Sequence, residues 1–134
     1  MAILVSVARD EAWPAPQLLE TLERLLAVEV NDLETALTHS CNLVAEALHA
    51  DKVDAFLYQP AKDVLVALGS SVQPLSSLQK RLGLDVLPVS NGGRVVFVFQ
   101  TGQTFITGRL DEDLEELIWA ASWLHLSLTK RFGE

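Results

Sequence analysis

Residues Lys52 to Ser70, KVDAFLYQPAKDVLVALGS, constrain the fold more than any other part of the chain. In the first half Val53, Ala55 and Leu57 alternate with Asp54, Phe56 and Tyr58. That period of two places side chains on opposite faces of a strand, and both faces are useful here. AKD makes a short turn, and VLVALGS reads as the antiparallel partner.

Helical patterns stand on both sides of this hairpin. WPAP, at Trp13 to Pro16, is the clearest break, since each proline restricts the residue before it. It separates a short apolar segment, AILVSVA, readable as a strand, from a helix that begins near Gln17 with Leu18, Leu22, Leu25 and Leu26 at helical spacing. A second helix starts at Asn31 or Asp32, where NDLE fits a capping box of Asn31 with Glu34. Leu33, Leu37, Cys41, Val44 and Leu48 make its apolar stripe. After the hairpin, Leu75, Leu78 and Leu82 mark a helix that ends at Gly83. DEDLEELIWAASWLHLSLTKRFG reads as a long final helix, with carboxylates in its first turn and Lys130 and Arg131 at its end, as the helix dipole favours. Consecutive strands joined by tight turns, with helices gathered before and after, predict an α+β fold with an antiparallel sheet.

The 134 residues, nearly half of them apolar, suit one globular domain with a real core. A net charge of −8 argues against a general nucleic-acid binder, because phosphates attract a positive surface. Cys41 is the sole cysteine, so neither an intrachain disulfide nor a thiolate zinc cluster can form. The expected compartment is the cytoplasm. AILVSVA lacks a preceding basic region and is too short for a signal peptide or a membrane span.

The residues that suggest chemistry mostly have a plainer reading. Gly92-Gly93 matches neither a dinucleotide fingerprint nor a P-loop, and turn-making is preferred over anion binding. His39, His49 and His125 lack metal-ligand spacing, so no metal and no cofactor is expected. Cys41 lies in an apolar stripe and is expected to pack as a small hydrophobe. Asp111, Glu112, Asp113, Glu115 and Glu116 open the last helix, where carboxylates are dipole-favourable and solvated. That helix is apolar around most of its circumference. Leu114, Leu117, Ile118, Ala121, Leu124 and Leu128 form one stripe, while Trp119, Trp123 and Leu126 occupy another side. It needs two partners, its own sheet and either a second subunit or the rest of the monomer.

Two stretches carry a family resemblance. LETALTHSCNLVAEALHADKVDAFLYQPAKDVLVALGSS resembles the start of a GAF domain, where a helix leads into the first sheet strand and a hairpin. GGRVVFVFQTGQTFITG resembles the family segment in which a short helix ends at Thr-Gly and a strand follows. Together they cover roughly Leu18 to Glu116. The resemblance implies one domain over 1–134: an N-terminal segment 1–16, a family-like region 17–116 and a divergent C-terminal helix 117–134. It implies an antiparallel sheet with helices on one face and a small-molecule pocket on the other, incomplete relative to the full family sheet. It also implies a non-enzymatic sensory or regulatory module of a signalling protein, which commonly dimerises through terminal helices.

On that basis Phe56 and Tyr58, sharing a strand face, are candidate ligand-binding residues, with Asn91, Arg94 and Phe97 on the segment expected to cover them. Leu117, Trp119, Trp123 and Leu126 are the candidate interface of a homodimer, and a signalling protein is a further expected partner. The alternative function is a ligand-free, degenerate module that works only by dimerisation or protein interaction.

The stretch RVVFVFQTGQTFITG separates propensity from family pattern. Propensity makes it a hairpin with Thr101-Gly102 in the turn. The resemblance makes Gly93 to Gln100 a short helix with Val95, Val98 and Phe99 on one side, and Gln103 to Thr107 a strand.

Overall fold

The computed structural model describes residues 2–6 and 15–105. Its elements follow in the order strand β1 (Ala2–Ser6), helices α1 (Ala15–Leu26) and α2 (Leu33–Leu48), strands β2 (Lys52–Gln59) and β3 (Val64–Ser70), helix α3 (Pro74–Leu82), strand β4 (Val86–Pro88), a 3-10 turn (Val89–Asn91) and helix α4 (Arg94–Thr101). The four described strands form one antiparallel sheet in the order β1-β2-β3-β4. The fold is therefore α+β with an antiparallel sheet.

The hairpin sets the register. Gln59 accepts from the Lys62 amide (3.2 Å) and Pro60 from the Asp63 amide (3.3 Å), with Asp63 in the left-handed region at φ 52°. Along β2 and β3, Phe56 lies opposite Ala67 but Ala55 lies opposite Gly69. Leu68 is thus an extra residue on β3, a bulge that resets which side chains face which side. Below it, Phe56, Leu65 and Ala67 point to one face. Above it, Val53 and Ala55 point to the other.

Two cores result, one on each face. On the first, Cys41 and Ala45 of α2 pack with Ala50, Val53 and Ala55. The contacting residues are small, so helix and sheet approach closely. At Gly69 an added Cβ would lie 2.5 Å from Leu37 Cβ and 2.7 Å from the Leu37 carbonyl carbon. Only glycine fits there. The second core joins Phe56, Leu65, Ala67 and Leu87 to Val96 of α4, flanked by Val89, Val95 and Phe99.

The helix ends correct one expectation. Asp32, not Asn31 with Glu34, caps α2: its Oδ1 accepts from the Thr35 amide (2.8 Å). That bond holds the Asp32 carboxyl below its ordinary range, because it favours the charged form. At the other end His49 adopts the left-handed region, and α3 stops at Gly83 as expected. Asn42 accepts from the Val72 amide (2.7 Å), and Arg24 pairs with Glu46 (3.0 Å), which ties α1 to α2.

Burial departs from periodicity on three helices. Leu33 is exposed, whereas Ala36 and Leu43 of α2 are buried. On α1, Leu18 and Leu25 are partly buried but Leu22 and Leu26 are exposed. On α3 the buried residues are Ser76 and Gln79, and the leucine stripe faces outward. Gln79 is turned inward by its side-chain amide, which donates to the Leu84 carbonyl (3.1 Å). An apolar stripe shows which side of a helix is oily, not which side is covered.

RVVFVFQT is a helix, although its residues favour strands. Gly92 and Gly93 enter it at φ 73° and 91°, where a side chain would be strained. Gly102 ends it, donating to the Val98 carbonyl (2.9 Å). Val96 is the buried anchor, with Val95 and Phe99 beside it, so Val98 is not part of the inward face as expected. Gln103 to Phe105 are not in a strand, and the rest of that expected strand, Ile106 and Thr107, lies outside the described residues. So does the whole expected C-terminal helix.

Candidate functional site

The face of the sheet opposite α2 carries Asp54, Phe56 and Tyr58 in a row along β2, and α4 covers part of it. Phe56 is 1% exposed and fills the core beneath Val96, so its ring is packing material. Tyr58 lies at the rim. Its ring meets Phe99 with centroids 4.9 Å apart, and its hydroxyl donates to Asp63 Oδ1 (2.8 Å). The Asp63 carboxylate holds the Tyr58 phenol above its ordinary value, because ionisation would lose that bond and set two negative charges together.

The remaining predicted residues belong to the lid. Asn91 ends the 3-10 turn and is partly buried. Arg94 opens α4, and its guanidinium sits 4.3 Å from the centroid of the Phe105 ring, a cation–π arrangement that pins the chain after α4 back over its start. Phe97 is partly buried, off the face that carries Val96, and its amide bonds the Gly93 carbonyl (2.9 Å). Phe56 and Tyr58 do share the face under α4. Leu117, Trp119, Trp123 and Leu126 lie outside the described residues.

Sequence reasoning missed a buried polar group on this face. Asp54 is fully buried, opposite Ser70 in the register, and Lys52 forms an ion pair with its Oδ2. That contact lacks hydrogen-bond geometry, and neither carboxylate oxygen nor Ser70 Oγ accepts or donates a hydrogen bond among the described residues. A charge of this kind is tolerable only because Lys52 neutralises it. Alternation alone showed Asp54 in the row with Phe56 and Tyr58, but not its burial.

Cys41 is buried, and desolvation, with the Asp54 charge second, pushes its thiol up to about 11. A thiol so protonated is a poor nucleophile. His39 and His49 are exposed. Among the described residues no group of three or more His, Cys, Asp or Glu side chains is arranged to hold a metal ion. Among the same residues no helix is long and apolar enough to cross a membrane.

Exposed leucines are the other feature missed. Leu19, Leu22 and Leu26 on α1, followed by Val30 and Leu33, face water, as do Val72, Leu75, Leu78 and Leu82 on and before α3. Scattered exposed apolar residues are ordinary, whereas rows of them mark contact surfaces. The signal was present as leucine spacing, which marks a stripe but not whether it is covered. No protein-family model, curated protein or solved structure matches this chain.

Proposed function

We propose that the chain is a non-enzymatic, GAF-like regulatory module that works by protein contact. The carrying observation is the exposed leucine row of α1, Leu19, Leu22 and Leu26, which stands beside the partly buried Leu18 and Leu25. A helix with two apolar sides needs two partners, and the ion pair of Arg24 with Glu46 marks α2 as the first. The second side is exposed among the described residues, and another protein is the partner we assign to it.

Support for the family reading comes from the two stretches that carry the resemblance. The first forms a helix followed by a hairpin, and the second a short helix that stops at Gly102. Between the sheet and α4 the space is occupied by Phe56, Leu65, Leu87 and Val96, which favours contact over ligand sensing as the working mode. The signalling role and the cytoplasmic compartment belong to the same proposal.

A photo-crosslinking residue at position 26 of the full chain, expressed in its own cells, tests the reading. The expected result is one or two discrete crosslinked protein products. A crosslinker at exposed Lys62, in the β2–β3 turn, should not give them. Identical diffuse products from both positions would refute protein contact as the mode of action.

A further inference from the structure

Two rows of exposed leucines have the same spacing and opposite charge around them. On α1, Leu19, Leu22 and Leu26 stand at i, i+3 and i+7 and are 57–88% exposed. On α3, Leu75, Leu78 and Leu82 repeat that spacing and are 40–47% exposed. Each row runs over eight residues, a rise of about 10.5 Å along the helix, so the two match in length. Val30 extends one row and Val72 the other, and both are exposed.

The charges differ in sign. Glu20 and Glu23 are the acids of α1, whose one basic residue, Arg24, is already held by Glu46. Lys80 and Arg81 are the only charged residues of α3. Glu23 lies four residues from Leu19 and three from Leu26, so it flanks the α1 row. Arg81 lies three residues from Leu78, next to Leu82, and so borders the end of the other row.

We infer that a second copy of this chain covers these rows, with α1 of each protomer packed against α3 of its partner. The inference rests on the contact reading above and names the partner. Leucines at this spacing interdigitate between helices as knobs into holes. An acidic helix against a basic one adds attraction, whereas α1 on α1 would set Glu23 against Glu23, and α3 on α3 would set Arg81 against Arg81. A two-fold axis makes the contact twice and covers both rows in both protomers, so the assembly closes as a dimer. The carboxylates of α1 also oppose docking on an anionic membrane.

Charge reversal in the full chain, read by sedimentation over roughly 1–100 μM, tests the pairing. Glu23→Arg alone and Arg81→Glu alone should each weaken the dimer by roughly tenfold. The double variant E23R/R81E should return it close to the wild-type value, since the pair is restored with its signs exchanged. Leu26→Gln and Leu78→Gln should each dissociate it, while far-UV melting at a dilution where the wild type is also monomeric stays as in the wild type. Neutralisation separates the homotypic alternatives: tighter association of Glu23→Gln would mean α1 on α1, and tighter association of Arg81→Gln would mean α3 on α3. A double variant no better than the single ones also overturns the pairing. A strictly monomeric chain overturns the second copy as partner, and a discrete heterologous crosslink from position 26 would then leave the contact reading standing.

Discussion

Replacing Gly69 with alanine adds one methyl group at the tightest point between α2 and the sheet. The new Cβ would sit 2.5 Å from Leu37 Cβ and 2.7 Å from the Leu37 carbonyl carbon. Carbon atoms in contact are ordinarily about 3.5–4.0 Å apart. Neither atom can rotate away, because one is backbone and the other is fixed to it. The helix must therefore withdraw by about 1 Å, and a gap of that size forfeits roughly a quarter to a half of the attraction at each contact it opens. Cys41 and Ala45, packed with Val53 and Ala55, would lose most. Overpacking of this kind costs about 1–3 kcal/mol, and the backbone partner puts Gly69→Ala near the upper end. In urea, read by far-UV circular dichroism, the midpoint should fall by roughly 1–2 M. Leu37→Ala should not rescue it, since Ala keeps the clashing Cβ. A midpoint unchanged to within about 0.3 M would refute the close approach of α2 to β3.

Three further outcomes follow from burial and pairing. Leu26→Gln should change stability by no more than about 0.5 kcal/mol in the monomer, as an exposed site does, whereas Leu65→Ala, at a fully buried position, should cost about 2–5 kcal/mol; equal losses in urea melts would contradict the exposed row. Tyr58 is the sole tyrosine, so its ultraviolet titration reads one group. Its phenol should ionise above the usual value of 10 and drop back in Asp63→Asn; because the folded value is raised, this stabilisation is complete below the unfolded value and fades as pH rises through the folded one. Cys41, the sole cysteine with its thiol near 11, should react with a disulfide reagent at pH 8 far more slowly in the folded chain than in urea; equal rates would mean that the thiol is not buried.

The sheet was legible because its signal is local. The alternation from Val53 to Tyr58 and the AKD turn specify the β2–β3 hairpin without reference to the rest of the chain. α4 was expected only from the family resemblance, since VVFVF by propensity is a strand. β4 was not read at all. It is three residues at the edge, Val86–Pro88, too short for a period to show. The lining of the candidate site was half legible: the row Phe56 and Tyr58 followed from alternation, but whether Phe56 lined a space or filled it depended on Val96, Leu65 and Leu87. Burial of Ser76 and Gln79 in place of the α3 leucines could not be read, because it depends on the acceptor at Leu84. The exposure of the leucines on α1 and α3 was likewise not legible, because spacing shows a stripe and not whether it is covered.

Hydroxyl-radical footprinting of the full chain across a dilution series tests the central claim most directly. In dilute solution Leu22, Leu26 and Leu78 should be oxidised as readily as exposed leucines, and all three should become protected together as the chain is concentrated. Protection at every dilution would mean that the rows are covered within one chain. Oxidation unchanged at every concentration, and unchanged again in extract of the native cells, would mean that the leucine rows are not a contact surface.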